Sequence, residues 1–166
     1  MIRTISDFLT MWTNESAGTL KVFRTLTDES LKQKVTPEGR SLGFIAWHIT
    51  TTLGEMTSQA GLPVAAPGEK DPMPAVACAI ADAYENGARA VTDAVKANWT
   101  DAQLDDEVPM YGESWKKGLV LAALIGHQCH HRGQMTVLMR QAALKVPGVY
   151  GPAKEEWANF GMAPLP

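Results

Sequence analysis

Residues 124–138 read Leu124-Ile125-Gly126-His127-Gln128-Cys129-His130-His131-Arg132-Gly133-Gln134-Met135-Thr136-Val137-Leu138. On a helix at about 100° per residue, His131 falls only about 40° around from His127, one turn further on. With His127 as origin, Val120 and Leu138 lie at about +20°, Leu124 at about +60° and Gln134 at about −20°. The two histidines therefore share the apolar stripe of the helix. His130, at about −60°, sits on its edge. Each core imidazole brings a polar nitrogen that must be satisfied. Two histidines at i and i+4 are a common geometry for chelating Zn²⁺ or a similar ion from one helix. The plainer alternative is a pair of core histidines serving structure alone.

Working outward, this stretch belongs to a helical segment over about Gly118 to Ala143. Pro- and Gly-rich breaks near 36–39, 61–74, 105–118 and from 147 onward set off three more segments. The first starts near Thr4 or Ser6, either of which suits an N-cap, and repeats Phe8, Leu9, Trp12, Leu20 and Phe23 at helical spacing. The second, about Arg40 to Gln59, aligns Leu42, Ile45, Ala46, Ile49, Leu53 and Met56. The third, about Pro74 to Asn98, aligns Val76, Ile80, Tyr84, Gly87, Val91 and Val95, with Pro74 suited to a first helical turn. Strand signals are weak; only Glu107 to Tyr111 is a candidate for local pairing. The chain thus reads as all-α, a four-helix bundle with long crossover loops, residues 1–166 forming a single domain.

Only one histidine lies outside the fourth segment. His48 sits at the edge of the second segment's apolar stripe, and Thr52 and Glu55 share that edge within about 60°. The plain reading of this seam is a helix boundary meeting solvent. The functional reading is one metal ligand with acceptors beside it. If His48 joins His127 and His131, the set is three histidines with open positions, the ligand count of a catalytic metal.

His127-x-x-x-His131-Arg132-Gly133-Gln134 resembles the His-x-x-x-His-Arg-Gly-Gln signature of the DinB/YfiT-like superfamily. Trp47-His48 is similar to that family's first ligand helix, and Val146-Pro147-Gly148-Val149-Tyr150-Gly151 to the turn after its last helix. The resemblance implies a bundle, commonly a homodimer, with a divalent metal held by His48, His127 and His131. His130 inside the motif leaves the choice of ligand on that turn open. Members include S-transferases and isomerases using low-molecular-weight thiols such as bacillithiol or mycothiol, and proteins described as metal-dependent hydrolases.

Composition narrows the alternatives. The chain has 166 residues, 45% hydrophobic and 20% charged, as in an ordinary soluble domain. Its net charge of −3 and scattered basic residues argue against nucleic acid as a partner. Its longest uncharged apolar run, 118–126, is far short of the ~18 residues a membrane span needs. The two cysteines form no framework and suggest reduced thiols in a cytoplasmic protein.

The remaining residues have bland expectations. Cys78 reads as core and Cys129 as a packing residue opposite His127. Arg132 points away from the histidines, toward surface or dimer contacts. Gly133 suits a close helix approach, and Gln134 either orients a ligand or bonds to backbone. Trp115 and Trp157 are candidates for a pocket mouth. Tyr150, Trp157 and Phe160 in the tail are either interface anchors or fold back on the bundle.

The expected function is a metal-dependent enzyme acting on a small molecule. It activates a thiol (S-transferase type) or water at an ion that is zinc first, with nickel, iron or manganese also compatible. Glu55, the only carboxylate on the His48 seam, is the candidate general base. A non-catalytic metal- or ligand-binding stress-response protein and a purely helical interaction module are the competing classes.

Overall fold

The computed structural model describes residues 2–164. Helix α1 spans Ile5–Phe23 and is capped by Thr4, whose hydroxyl accepts from the Asp7 N–H at 3.0 Å. Ser6 instead lies inside the first turn. Helix α2 spans Leu42–Gln59, with Ser41 accepting from the Phe44 N–H. Helix α3 spans Ala77–Asn98. It starts three residues beyond Pro74, so the proline lies ahead of the first turn. No local side chain caps it; Asp28, from the loop after α1, accepts from the Ala77 N–H at 2.7 Å. The later start makes Val76 the N-cap and leaves it exposed.

Strands β1 (Glu107–Met110) and β2 (Glu113–Lys116) pair antiparallel, with Glu107 opposite Lys116 and Met110 opposite Glu113. Tyr111 and Gly112 make the two-residue turn, both with positive φ (52° and 85°), which places it in the I′ family that matches strand twist. The second strand lies outside the sequence expectation of pairing over 107–111. Helix α4, Lys117–Gln141, follows β2 without a linker. It ends in a Schellman motif, with the Leu144 N–H donating to Met139 and the Ala143 N–H to Arg140. Short 3₁₀ turns cover Ser30–Lys32, Asp101–Asp105 and Lys154–Phe160.

Helices α1 and α2 each pack against both α3 and α4, so the four circle one core. Phe8, Trp12, Phe23, Leu42, Ile49, Leu53, Ile80, Tyr84 and Leu124 are almost wholly withdrawn from water. The buried indole of Trp12 donates to the Ala88 carbonyl at 3.0 Å, so its polar atom is satisfied. Buried threonines on α2 return their hydroxyls to their own helix, Thr50 to Ala46 and Thr52 to Ile49. Gly118 is required at the start of α4: a Cβ there would strike the Ile2 carbonyl, and the Ile2 N–H donates to Gly118. The N-terminal residues are thereby laid against the base of α4. No helix among the described residues is long and apolar enough to cross a membrane.

Candidate metal centre

The contact of α2 with α4 brings His48 against His127 and His131. Potential ligand nitrogens of the three all lie within 4.8 Å of one another. The Nε2 atoms of His48 and His127 face each other at 3.1 Å. The ring centroids stand 4.4–4.9 Å apart, edge to face. His131 is buried and the other two are half-buried. His130 is exposed, stands outside the cluster and meets Gln134 at 3.0 Å.

Burial sets the protonation. It holds His48 below its ordinary value, with the charges of His131 and Arg40 adding. It pulls His127 down to about 4, with His131, His48 and His130 adding. It also lowers His131, although the Gln134 hydrogen bond opposes the shift. All three are therefore neutral imidazoles at pH 7, each with a lone pair. Gln134 Oε1 stands 2.8 Å from His131 Nδ1, which assigns the ring proton to Nδ1 and leaves Nε2 free to coordinate. Of the two expectations for Gln134, orienting a candidate ligand or bonding to backbone as a buried amide, the contact is with the His131 ring, and the side chain is exposed. Nδ1 of His127 is buried and has no hydrogen-bond partner among the described residues. Converging neutral imidazoles, one with its tautomer set, fit a divalent cation by the chemistry of the donor set.

Two of the three histidines, His48 and His127, stand in the wall of a cavity of about 400 Å³, and His131 lies buried beside them. His48, Thr52 and Glu55 line it from α2, His127 from α4, and Tyr111 and Trp115 from the hairpin. The α2 seam thus faces the cavity, with Glu55 half-buried. Both Glu55 oxygens accept from the Tyr111 hydroxyl at 3.0 Å, and Gln59 donates to one of them. Trp115 stands at the cavity as expected; Trp157 does not line it.

The opposite face of α4 differs from the sequence reading. Arg132 does point away from the histidines, but it is buried and serves no surface contact. Its Nη2 donates to Glu15 Oε2 at 2.7 Å, and its Nη1 donates to Glu15 O and Thr19 Oγ1. Cys129 is half-buried there, its thiol 3.2 Å from the same carboxylate. The Tyr150 hydroxyl also donates to Glu15. The tail therefore folds back on its own bundle at this point. Gly133 faces open space and mediates no close approach. Cys78 is exposed, not core: the buried face of α3 runs through Ala77, Ile80, Ala81 and Tyr84, and Cys78 lies off it.

A sequence profile of the DinB family matches residues 1–164. The chain belongs to the DinB family. It is 49% identical over 162 residues to a Bacillus subtilis (strain 168) protein named "Uncharacterized protein YrdA", covering 98% of this chain and 97% of that one. The crystal structure of a DinB-like protein from Bacillus cereus ATCC 10987 is similar at a TM-score of 0.87 and 44% identity, covering 90% of this chain and all of that one. A second DinB-like crystal structure, YjoA of Bacillus subtilis, shares the fold at a TM-score of 0.68 and 16% identity, covering 86% of this chain and 97% of that one. This DinB family protein is thus a mainly helical bundle whose α2 and α4 assemble a three-histidine cluster that could hold a metal ion.

Tyr111 and Glu69 at the cavity, and Glu15 in the buried ion pair on the other face of α4, are residues that sequence reasoning missed. Glu69 comes to the cavity from the loop between α2 and α3. Only Glu15 left a signal, as a carboxylate on the buried stripe Phe8, Trp12, Glu15, Thr19 of α1.

Proposed function

We propose that this protein is a metal-dependent enzyme of the thiol S-transferase type. His48, His127 and His131 would hold a divalent ion, zinc first, with nickel, iron or manganese compatible with the same ligands. The observation that carries the reading is the convergence of three neutral imidazoles, two of which, His48 and His127, line a cavity that also presents Glu55. When bound, such an ion supplies Lewis acidity and lowers the pKa of a thiol or water that it coordinates.

The chain's own residues supply the rest. Glu55 stands ready to take the proton that a low-molecular-weight thiol, or water, gives up. Gln134 holds the His131 ring in the tautomer that leaves Nε2 free. Trp115, Met56 and Ala123 line the cavity with apolar surface that excludes bulk water around a small electrophilic substrate. We further infer a homodimer, which rests on the family resemblance.

Metal analysis of protein purified without an affinity tag, followed by turnover assays with a thiol panel, tests the reading. About one divalent ion per chain and thiol-dependent turnover are expected. Turnover of esters without any thiol would make the protein a hydrolase. Bound metal with no turnover would make it a binding protein, and no metal would remove the proposal.

A further inference from the structure

Among the described residues two non-glycines have positive φ, Tyr111 at 52° and Ala143 at 57°. Ala143 is accounted for by the Schellman motif, which places the residue after the C-cap in the left-handed region. Tyr111 occupies the first central position of a I′ turn, where Asn, Asp or Gly is the usual residue. An aromatic side chain there is strained. Burial does not offset the strain, because Tyr111 is 56% exposed. Strain of this kind concentrates at functional sites, where surrounding contacts hold it.

The contacts that Tyr111 makes converge on the cavity. Its hydroxyl donates to both oxygens of Glu55, 56 residues away in sequence. Its ring meets Trp115 edge-on at 5.7 Å. Although the residue as a whole is exposed, partial desolvation of the phenol raises its pKa, and the Glu55 carboxylate raises it further, so the hydroxyl keeps its proton and remains a donor. One donor shared by two carboxylate oxygens restrains the rotation of that carboxylate. Tyr111, Trp115 and Glu55 line the same cavity as His48 and His127.

We propose that Tyr111 is a positioning residue of this cavity, its hydroxyl clamping the Glu55 carboxylate at the wall beside the histidine cluster, and that the left-handed backbone at residue 111 is strain retained for that contact. The proposal rests on the function inferred above for the thiol-binding step, and on geometry alone for the clamp.

The test compares wild type with Tyr111→Phe, Tyr111→Asn, Glu55→Ala and the double variant Tyr111→Phe/Glu55→Ala. Thermal unfolding without metal reads strain and contact. Asn tolerates left-handed backbone, so Tyr111→Asn should unfold no lower than wild type despite losing the ring. Tyr111→Phe keeps the strain and loses the bond, so its Tm should fall by about 1–4 °C. In the Glu55→Ala background the same change should have no effect. With Co²⁺ bound and 2-mercaptoethanol as the probe, visible absorption reads the site. Tyr111→Phe should bind Co²⁺ like wild type and the thiol about ten-fold more weakly. A Tyr111→Asn that unfolds below Tyr111→Phe overturns the strain. Additive Tm shifts overturn the clamp. Unchanged thiol affinity, or lost Co²⁺ binding, in Tyr111→Phe overturns the positioning role. A wild type that takes up no Co²⁺ defeats the proposed function instead, while the unfolding arms still decide the clamp.

Discussion

Glu15 of α1 and Arg132 of α4 form a buried ion pair at 2.7 Å, on the face of α4 turned away from the histidine cluster. Both side chains are almost fully withdrawn from water. Such a pair adds little against an apolar substitute, but removing one partner strands the other charge. Arg132→Ala should therefore destabilise the protein by about 3–5 kcal/mol. Thermal denaturation should show Tm lower by about 8–15 °C. A loss under 1 °C would show that the pair is dispensable.

The same pair sets an acid limit. Burial alone would raise the Glu15 carboxyl, but hydrogen bonds from Tyr150, Arg132 and Cys129 outweigh it and hold the group below its usual range. A group depressed in the folded state contributes in full above its unfolded pKa of about 4.3. That contribution fades as pH falls through the lower folded value. Acid titration should show wild type losing stability below about pH 4 more steeply than Glu15→Gln, which has no carboxylate to protonate. Parallel curves would remove Glu15 from the acid response.

Metal content should separate the three adjacent candidates on α4. His127→Ala and His131→Ala should strip the ion, whereas His130→Ala should retain about one per chain by elemental analysis. Loss in His130→Ala with retention in His131→Ala would reverse the ligand assignment.

Glu55→Gln preserves shape and removes the proton acceptor. It should leave metal content unchanged and cut turnover by about 10²–10⁴-fold, the usual worth of a general base. Turnover within two-fold of wild type would relegate Glu55 to a lining role.

Ala143 carries its left-handed φ with a Cβ, at the position where a Schellman motif favours glycine. Ala143→Gly should raise Tm by about 2–4 °C, corresponding to about 1 kcal/mol of relieved backbone strain. No gain would mean that the unfolded chain's added freedom cancels the relief.

The bundle and the histidine cluster were legible because both depend on helical periodicity. Leu42, Ile45, Ala46, Ile49 and Leu53 repeat at that spacing and are buried. His127 and His131 share a stripe whatever helix they meet. Periodicity does not say which helix covers the other side of α4, so Arg132 read as a surface residue although Glu15 lay on the buried stripe of α1. Nor does it place a loop. Tyr111 and Glu55 are brought together by a hairpin whose Tyr-Gly turn lacks the usual Asn or Asp, so its second strand and the clamp both went unseen. Cys78 read as core because it sits among alanines, although it lies off the inward face that Ile80, Tyr84, Gly87 and Val91 mark.

Helix α4 presents His131 to one side and its neighbour Arg132 to the other, each engaged with a different helix. A twist that reshaped the histidine side would tear the ion pair, and one that relaxed the ion pair would scatter the imidazoles. The helix behaves as an axle pinned at two points of its circumference, about 100° apart. Variation among relatives that retunes the cavity should therefore accumulate on α2 and the hairpin, leaving the rotational setting of α4 as the shared datum from which the rest is measured.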